Sequence, residues 1–203
     1  MQAFRPPFLW EINLGNEVSE KTMYEVPMDK KRIAIISTGG TIEKTYDAMT
    51  GVLANKVNIL DIMLESLVLN GVDVVRIPLM NKDSLDMSAK DHTLICETAE
   101  AMAEAYDGVL IVHGTDRLAK TGEQCVTHMG TPPVPIVLTG AMQPYELRHT
   151  DAVQNLTEAL LAVQIVPPGI YAAMHNKVLQ FPGVEKDLER GTFVKKLTEA
   201  LKG

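Results

Sequence analysis

The chain has 203 residues, 46% of them hydrophobic and 22% charged, with a formal net charge of -7. That length and composition suit one α/β domain with a core of its own, one that needs neither disulfide nor metal to fold. The negative balance argues against nucleic acid as a partner, because a phosphate backbone needs a basic face. No run approaches the ~20 apolar residues of a membrane span.

Residues 1–30 are the least regular part. Phe4, Phe8, Leu9 and Trp10 are too apolar for a free tail, so this stretch reads as an arm packed on its own domain or a neighbouring subunit, or as a leader. Its early prolines and acids do not fit a signal peptide. A reduced, cytoplasmic setting is expected, with Cys96 and Cys125 as two buried thiols rather than a disulfide. There is no CxxC, and the five histidines lack zinc-ligand spacing.

From residue 31 strand and helix patterns alternate. "KRIAIIST" (31–38) is a short apolar run suited to a central parallel strand. The spacing of apolar residues 57, 60, 63, 64, 67 and 68 predicts a helix stopped by Asn70-Gly71. "VDVVRIPL" (72–79) is a second strand. Residues 88–106 read as a helix, with Ser88 and Asp91 as an N-terminal cap signature. "DGVLIVHGTD" (107–116) is a third strand with its turn, and 117–130 a shorter helix. "VPIVLTGAM" (134–142) is a fourth strand. Residues 150–164 form a helix capped by Thr150 or Asp151. "GIYAAMHNKV" (169–178) is a fifth strand, and 194–202 a short terminal helix. Such alternation predicts an open, mostly parallel sheet with helices on both faces, a three-layer α/β sandwich.

Three strands end in glycine-containing, hydroxyl-bearing turns: Thr38-Gly39-Gly40-Thr41, His113-Gly114-Thr115-Asp116 and Thr139-Gly140-Ala141-Met142. A fourth leads to Asn81-Lys82-Asp83-Ser84. Ligands of open α/β sheets bind outside the carboxyl ends of the strands, so these turns converge on one edge. A threonine hydroxyl becomes a nucleophile only when a neighbour takes its proton. A lysine beside Thr115, oriented by an acid such as Asp116, could do so, and so could a tyrosine phenol. Backbone N–H groups of the turns at Gly40 and Gly114 could hold an oxyanion. Together these residue types suggest acyl transfer without metal or cofactor. His113, at the last apolar position before Gly114, reads as a hydrogen-bonded strand-end residue. The turn is TGGT rather than GxGxxG, which speaks against a dinucleotide site.

"STGGTI" (37–42), "HGTD" (113–116) and "VLTGAMQP" (137–144), in this order and spacing, resemble the bacterial-type L-asparaginases over about residues 31 to 193. The resemblance implies the N-terminal-domain fold of that family in a short, single-domain form, with residues 31–203 as the catalytic domain. It implies Thr41 as nucleophile and Tyr46 as the tyrosine of a loop (43–52) that covers the site. It further implies a Thr115–Lys186–Asp116 relay, in which Asp116 also reads the substrate ammonium. Ser84 would bind the substrate α-carboxylate, and the Ala141 backbone would lie near the departing ammonia. The implied reaction is hydrolysis of L-asparagine through a threonyl ester. A homo-oligomer is expected on a separate ground: the aromatic arm and the lack of a second domain leave apolar surface to cover. Leu85 stands where many high-affinity members have glutamine. Losing one hydrogen bond to the charged ammonium is worth ~1.5–3 kcal/mol, so weak substrate binding is expected. A related amidase acting on glutamine or a cyclic imide is the rival enzyme, and an amino-acid-binding module without turnover is the rival of another class.

Overall fold

The computed structural model describes residues 30–47, 52–54 and 59–196; of residues 45–47 and 52–54 only the backbone is described. In chain order the elements are β1 (Lys31–Ser37), β2 (Thr45–Asp47), β3 (Val52–Ala54), α1 (Ile59–Glu65), β4 (Val72–Pro78), α2 (Ala89–Ala103), β5 (Gly108–Val112), α3 (Thr115–Met129), β6 (Pro135–Thr139), α4 (Ala152–Ile165), β7 (Gly169–Met174), β8 (Lys177–Gln180), β9 (Val184–Asp187) and β10 (Thr192–Lys195). The main sheet runs β4-β1-β5-β6-β7-β8. Its first five strands are parallel, and β8 joins antiparallel.

The central strands are buried along their whole length, which is why they read as continuous apolar runs rather than alternating ones. Successive side chains point to opposite faces. Ile33, Ile35, Leu110, Val112 and Val137 pack under α1 and α4. Ile36, Val109, Ile111, Ile136 and Leu138 pack under α2 and α3. The fold is therefore the three-layer α/β sandwich expected, with a mostly parallel sheet. Cys96 and Cys125 are both buried and unpaired in a disulfide, facing one another across α2 and α3.

The Ser88–Asp91 signature is a full capping box: Ser88 Oγ accepts from the Asp91 N–H at 3.3 Å, and the Asp91 carboxylate accepts from the Ser88 N–H at 2.8 Å. At the start of α4, Thr150 Oγ1 accepts from the Ala152 N–H at 3.0 Å, while Asp151 turns its carboxylate elsewhere.

Several expected elements differ. The first helix ends at Glu65, short of Asn70-Gly71, although Leu67 and Leu69 still pack against the core beyond its end, and residues 55–58 before it lie outside the described residues. The stretch 169–178 is two strands, because His175 and Asn176 adopt left-handed conformations (φ 55° and 58°) and reverse the chain. No helix begins at residue 194. Thr192–Lys195 pairs antiparallel with β9, and Phe193 is buried at the sheet's end. Residues 197–203 and the arm at 1–29 lie outside the described residues. Among the described residues no helix is long and apolar enough to cross a membrane.

Candidate active site

Parallel strands β1, β5 and β6 deliver their glycine turns side by side. Gly40 has φ 95°, a left-handed value that side chains resist, and a Cβ on it would stand 2.6 Å from Gly114 Cα. A Cβ on Gly114 would meet Ser84 Oγ at 2.6 Å. The 37–41, 81–84 and 113–116 turns thus touch through bare backbone. The third expected turn joins them where the His113 N–H donates to Thr139 O at 2.8 Å.

Thr41 follows Gly40 as the first residue of a short 3-10 turn and is half-buried. Behind this turn Glu43 is buried, and desolvation pushes its carboxyl pKa up against the opposing pull of Arg76, 4.0 Å away. Arg76 also pairs with Asp61 and donates to Ser37 Oγ at 3.3 Å. Lys44 donates to Asp83 at 2.7 Å, tying the Thr41 turn to the Ser84 turn. That hydrogen bond holds the Asp83 carboxyl below its usual range.

Thr115 and Asp116 are not turn residues but the first two residues of α3, where orphan N–H groups and the helix dipole favour negative charge. Lys186, from β9, donates to Thr115 Oγ1 at 2.9 Å and to Asp116 Oδ1 at 2.7 Å. Its side chain is mostly covered, so it is not the solvated lysine that its charged neighbours suggest. Ser84 is buried, and its Oγ has no hydrogen-bond partner. An unsatisfied buried hydroxyl costs stability, which marks it as a group available to a ligand.

Ala141 is buried just after Gly140, with its side chain in the core. Its turn is held from below by Asp151. That carboxylate accepts from the N–H groups of Met142 (3.0 Å) and Gln143 (2.9 Å), from Asn155 Nδ2 (2.8 Å) and from His175 Nε2 (2.8 Å). Burial pushes its pKa up, but these hydrogen bonds outweigh burial and hold it below the usual value. Asn155 Nδ2 also donates to Gly140 O at 2.9 Å.

Tyr46 lies on β2, paired with Leu53 of β3, within the stretch expected as a loop. The position of its side chain lies outside the described residues. So of the expected set, Gly40, Ser84, Gly114, Thr115, Asp116 and Lys186 meet directly, Thr41 adjoins them, Ala141 sits on the neighbouring turn, and Tyr46 is placed only by its strand. The supporting residues Arg76 and Asn155 were not singled out by the sequence, and Asp151 was read only as a candidate helix cap. Arg76 did carry a signal, as a charged residue on an otherwise apolar strand face.

A groove of about 360 Å³, lined by Leu67, Val68, Leu160 and Leu161, opens between the 67–72 segment and the end of α4. It lies at the amino ends of β1 and β4, away from this chemistry. Ligands of open α/β sheets sit at the carboxyl ends, so the groove is not the candidate site. Among the described residues no three His, Cys, Asp or Glu side chains gather as a metal site.

Fold and site together define an α/β domain with a strand-end site made of hydroxyls, bare turn backbone and a Lys–Asp pair. Residues 32–198 match the family described as Asparaginase, N-terminal. The chain belongs to the asparaginase family. It is 32% identical over 158 residues to an L-asparaginase of Thermococcus kodakarensis, covering 76% of this chain and 47% of that protein. The solved structure of the thermostable L-asparaginase from that organism matches with a TM-score of 0.72 at 30% identity, over 81% of this chain and 51% of the other. A probable cytoplasmic L-asparaginase from Campylobacter jejuni matches at 0.70 and 29%, over 82% and 53%. The chain is also 31% identical over 151 residues to a component of the glutamyl-tRNA(Gln) amidotransferase of Methanobrevibacter smithii, covering 73% of this chain and 34% of that protein. It thus spans half or less of the curated relatives it matches.

Proposed function

We propose that this chain hydrolyses the side-chain amide of L-asparagine, giving L-aspartate and ammonia. The observation that carries this reading is Lys186 bridging Thr115 and Asp116 beside the Gly40–Gly114 contact. Thr41 Oγ1 attacks the amide carbon as its proton passes toward the Tyr46 phenol, and turn N–H groups receive the oxyanion. The C–N bond then breaks and the nitrogen leaves as ammonia past the Ala141 backbone, having taken that proton. Water, oriented by Thr115 and the Lys186 ammonium, attacks the threonyl ester and gives up the proton that Thr41 takes. The ester C–O bond breaks, aspartate departs and Thr41 recovers its hydrogen. Ser84 Oγ binds the α-carboxylate and Asp116 the ammonium.

The Leu85 side chain is exposed and has no hydrogen-bonding group, which supports a millimolar rather than micromolar KM. Residues 31–203 carry the catalytic groups, in a cytoplasmic homo-oligomer. Light scattering on the purified chain reads the oligomeric state. Ammonia release with L-asparagine, L-glutamine and succinimide, wild type beside Thr41→Ala, tests the reaction. Turnover of asparagine lost in a folded Thr41→Ala chain supports it, and undiminished turnover refutes the nucleophile.

A second reading draws on the amidotransferase relatives: amide nitrogen released here is passed to an acceptor held by a partner. It predicts slow turnover in isolation and stimulation by that partner.

A further inference from the structure

His113 carries a proton arrangement that its neighbours dictate. Its Nδ1 lies 2.8 Å from Gly114 O, an atom that can only accept, so Nδ1 bears the hydrogen. In the neutral ring Nε2 is then the acceptor, and Thr121 Oγ1 stands 2.8 Å from it. Thr121 has one hydroxyl hydrogen and a rival acceptor in Arg117 O, but at the longer distance of 3.3 Å. Thr121 Oγ1 therefore donates to His113, and accepts from His92 Nδ1 at 2.8 Å. His92 Nε2 is left bare, buried and without a partner. The two rings lie nearly parallel, 6.2 Å apart at an interplanar angle of 14°. The result is a one-way relay, His92 to Thr121 to His113 to Gly114 O.

The relay ends at the functional turn. A planar trans peptide points its N–H opposite to its C=O. Fixing Gly114 O therefore fixes the Thr115 N–H and the direction in which Thr115 leaves the turn. The bare His92 nitrogen costs stability, as a buried polar group without a partner does. An apolar core at these three positions would carry no such cost, so what the relay supplies is orientation.

We propose that His113 is a positioning residue for the amide-cleaving reaction: its Nδ1–H, held by the Thr121–His92 relay, locks the Gly114–Thr115 peptide so that Thr115 Oγ1 stays in reach of Lys186. This rests on the amidase reading above. Two measurements test it. Long-range ¹H–¹⁵N correlation on the wild type with labelled histidine reads the tautomers; both His113 and His92 should carry hydrogen on Nδ1. Thr121→Val, at a residue outside the reacting groups, should lower kcat on the order of tenfold to a hundredfold with KM within about twofold, and Thr121→Ser should restore kcat. An active wild type with His113 protonated at Nε2, or a folded Thr121→Val chain with unchanged kcat, overturns the inference alone. A wild type that releases no ammonia overturns the reaction and this role with it. Should Thr121→Val fail to fold, the wild-type tautomers still decide.

Discussion

Lys186 Nζ donates to Thr115 Oγ1 at 2.9 Å across 71 positions of chain. The contact exists because β9 pairs with β10, whose Phe193 sits opposite Lys186 in register and is buried in the core at the end of the sheet. The aliphatic stem of Lys186 is thereby held over the first turn of α3.

Lys186→Met keeps the stem and removes the ammonium. Acid–base groups of this kind contribute about 10²–10⁴-fold. The variant should lose kcat in that range while its circular dichroism and melting temperature stay near wild type. A loss under threefold would return Lys186 to a structural role.

Ser84→Ala separates stability from binding. The Ser84 hydroxyl is buried without a partner, so removing it should leave unfolding free energy unchanged or raise it by about 1 kcal/mol. If the hydroxyl meets a substrate carboxylate, KM should rise tenfold or more, as expected for a lost hydrogen bond to a charged group of ~1.5–3 kcal/mol. Urea unfolding and steady-state kinetics on one preparation read both quantities.

Gly40→Ala should fail for two reasons at once. The residue sits at φ 95°, and the added methyl would stand 2.6 Å from the Gly114 backbone. Backbone cannot yield as a flexible side chain does, so a loss of several kcal/mol is expected, together with loss of turnover. A melting curve like that of wild type would refute the close approach of the two turns.

Acid should destabilise the fold before its carboxylates titrate. Burial lowers the His113 pKa from 6.5 to about 4, and desolvation lowers His92 as well. Between those values the unfolded chain binds a proton that the folded chain refuses. Stability from His113 is present above pH 6.5 and declines as pH falls toward 4, by on the order of 3 kcal/mol. Glu43, whose pKa is raised, shifts the balance the other way at the acid end. Chemical unfolding at stepped pH should show a steeper slope over this window for wild type than for His113→Gln; equal slopes would refute the assignment.

The layer order was legible because a parallel sheet buried on both faces writes its strands as short apolar runs, as in "KRIAIIST" and "DGVLIVHGTD". Ser88 and Asp91 marked the start of α2 because a capping box is local chemistry, complete within four residues. The hairpin at His175-Asn176 escaped the pattern: left-handed turns at non-glycine residues leave little compositional trace, so 169–178 looked like one strand. The 194–202 stretch has helical composition, yet pairing with β9 and burial of Phe193 overrode local preference at Thr192–Lys195.

By itself the sequence determined the α/β class and the motifs TGGT, HGTD and TGAM, because strand burial, helix caps and glycine turns are set by neighbours along the chain. Only the tertiary structure decided that Gly40 meets Gly114, that Lys186 faces Thr115 and Asp116, and that Thr121 orders two histidines. Those contacts join residues far apart in the chain, and they form only when the sheet order and the β9–β10 pair bring separate strand ends to one edge.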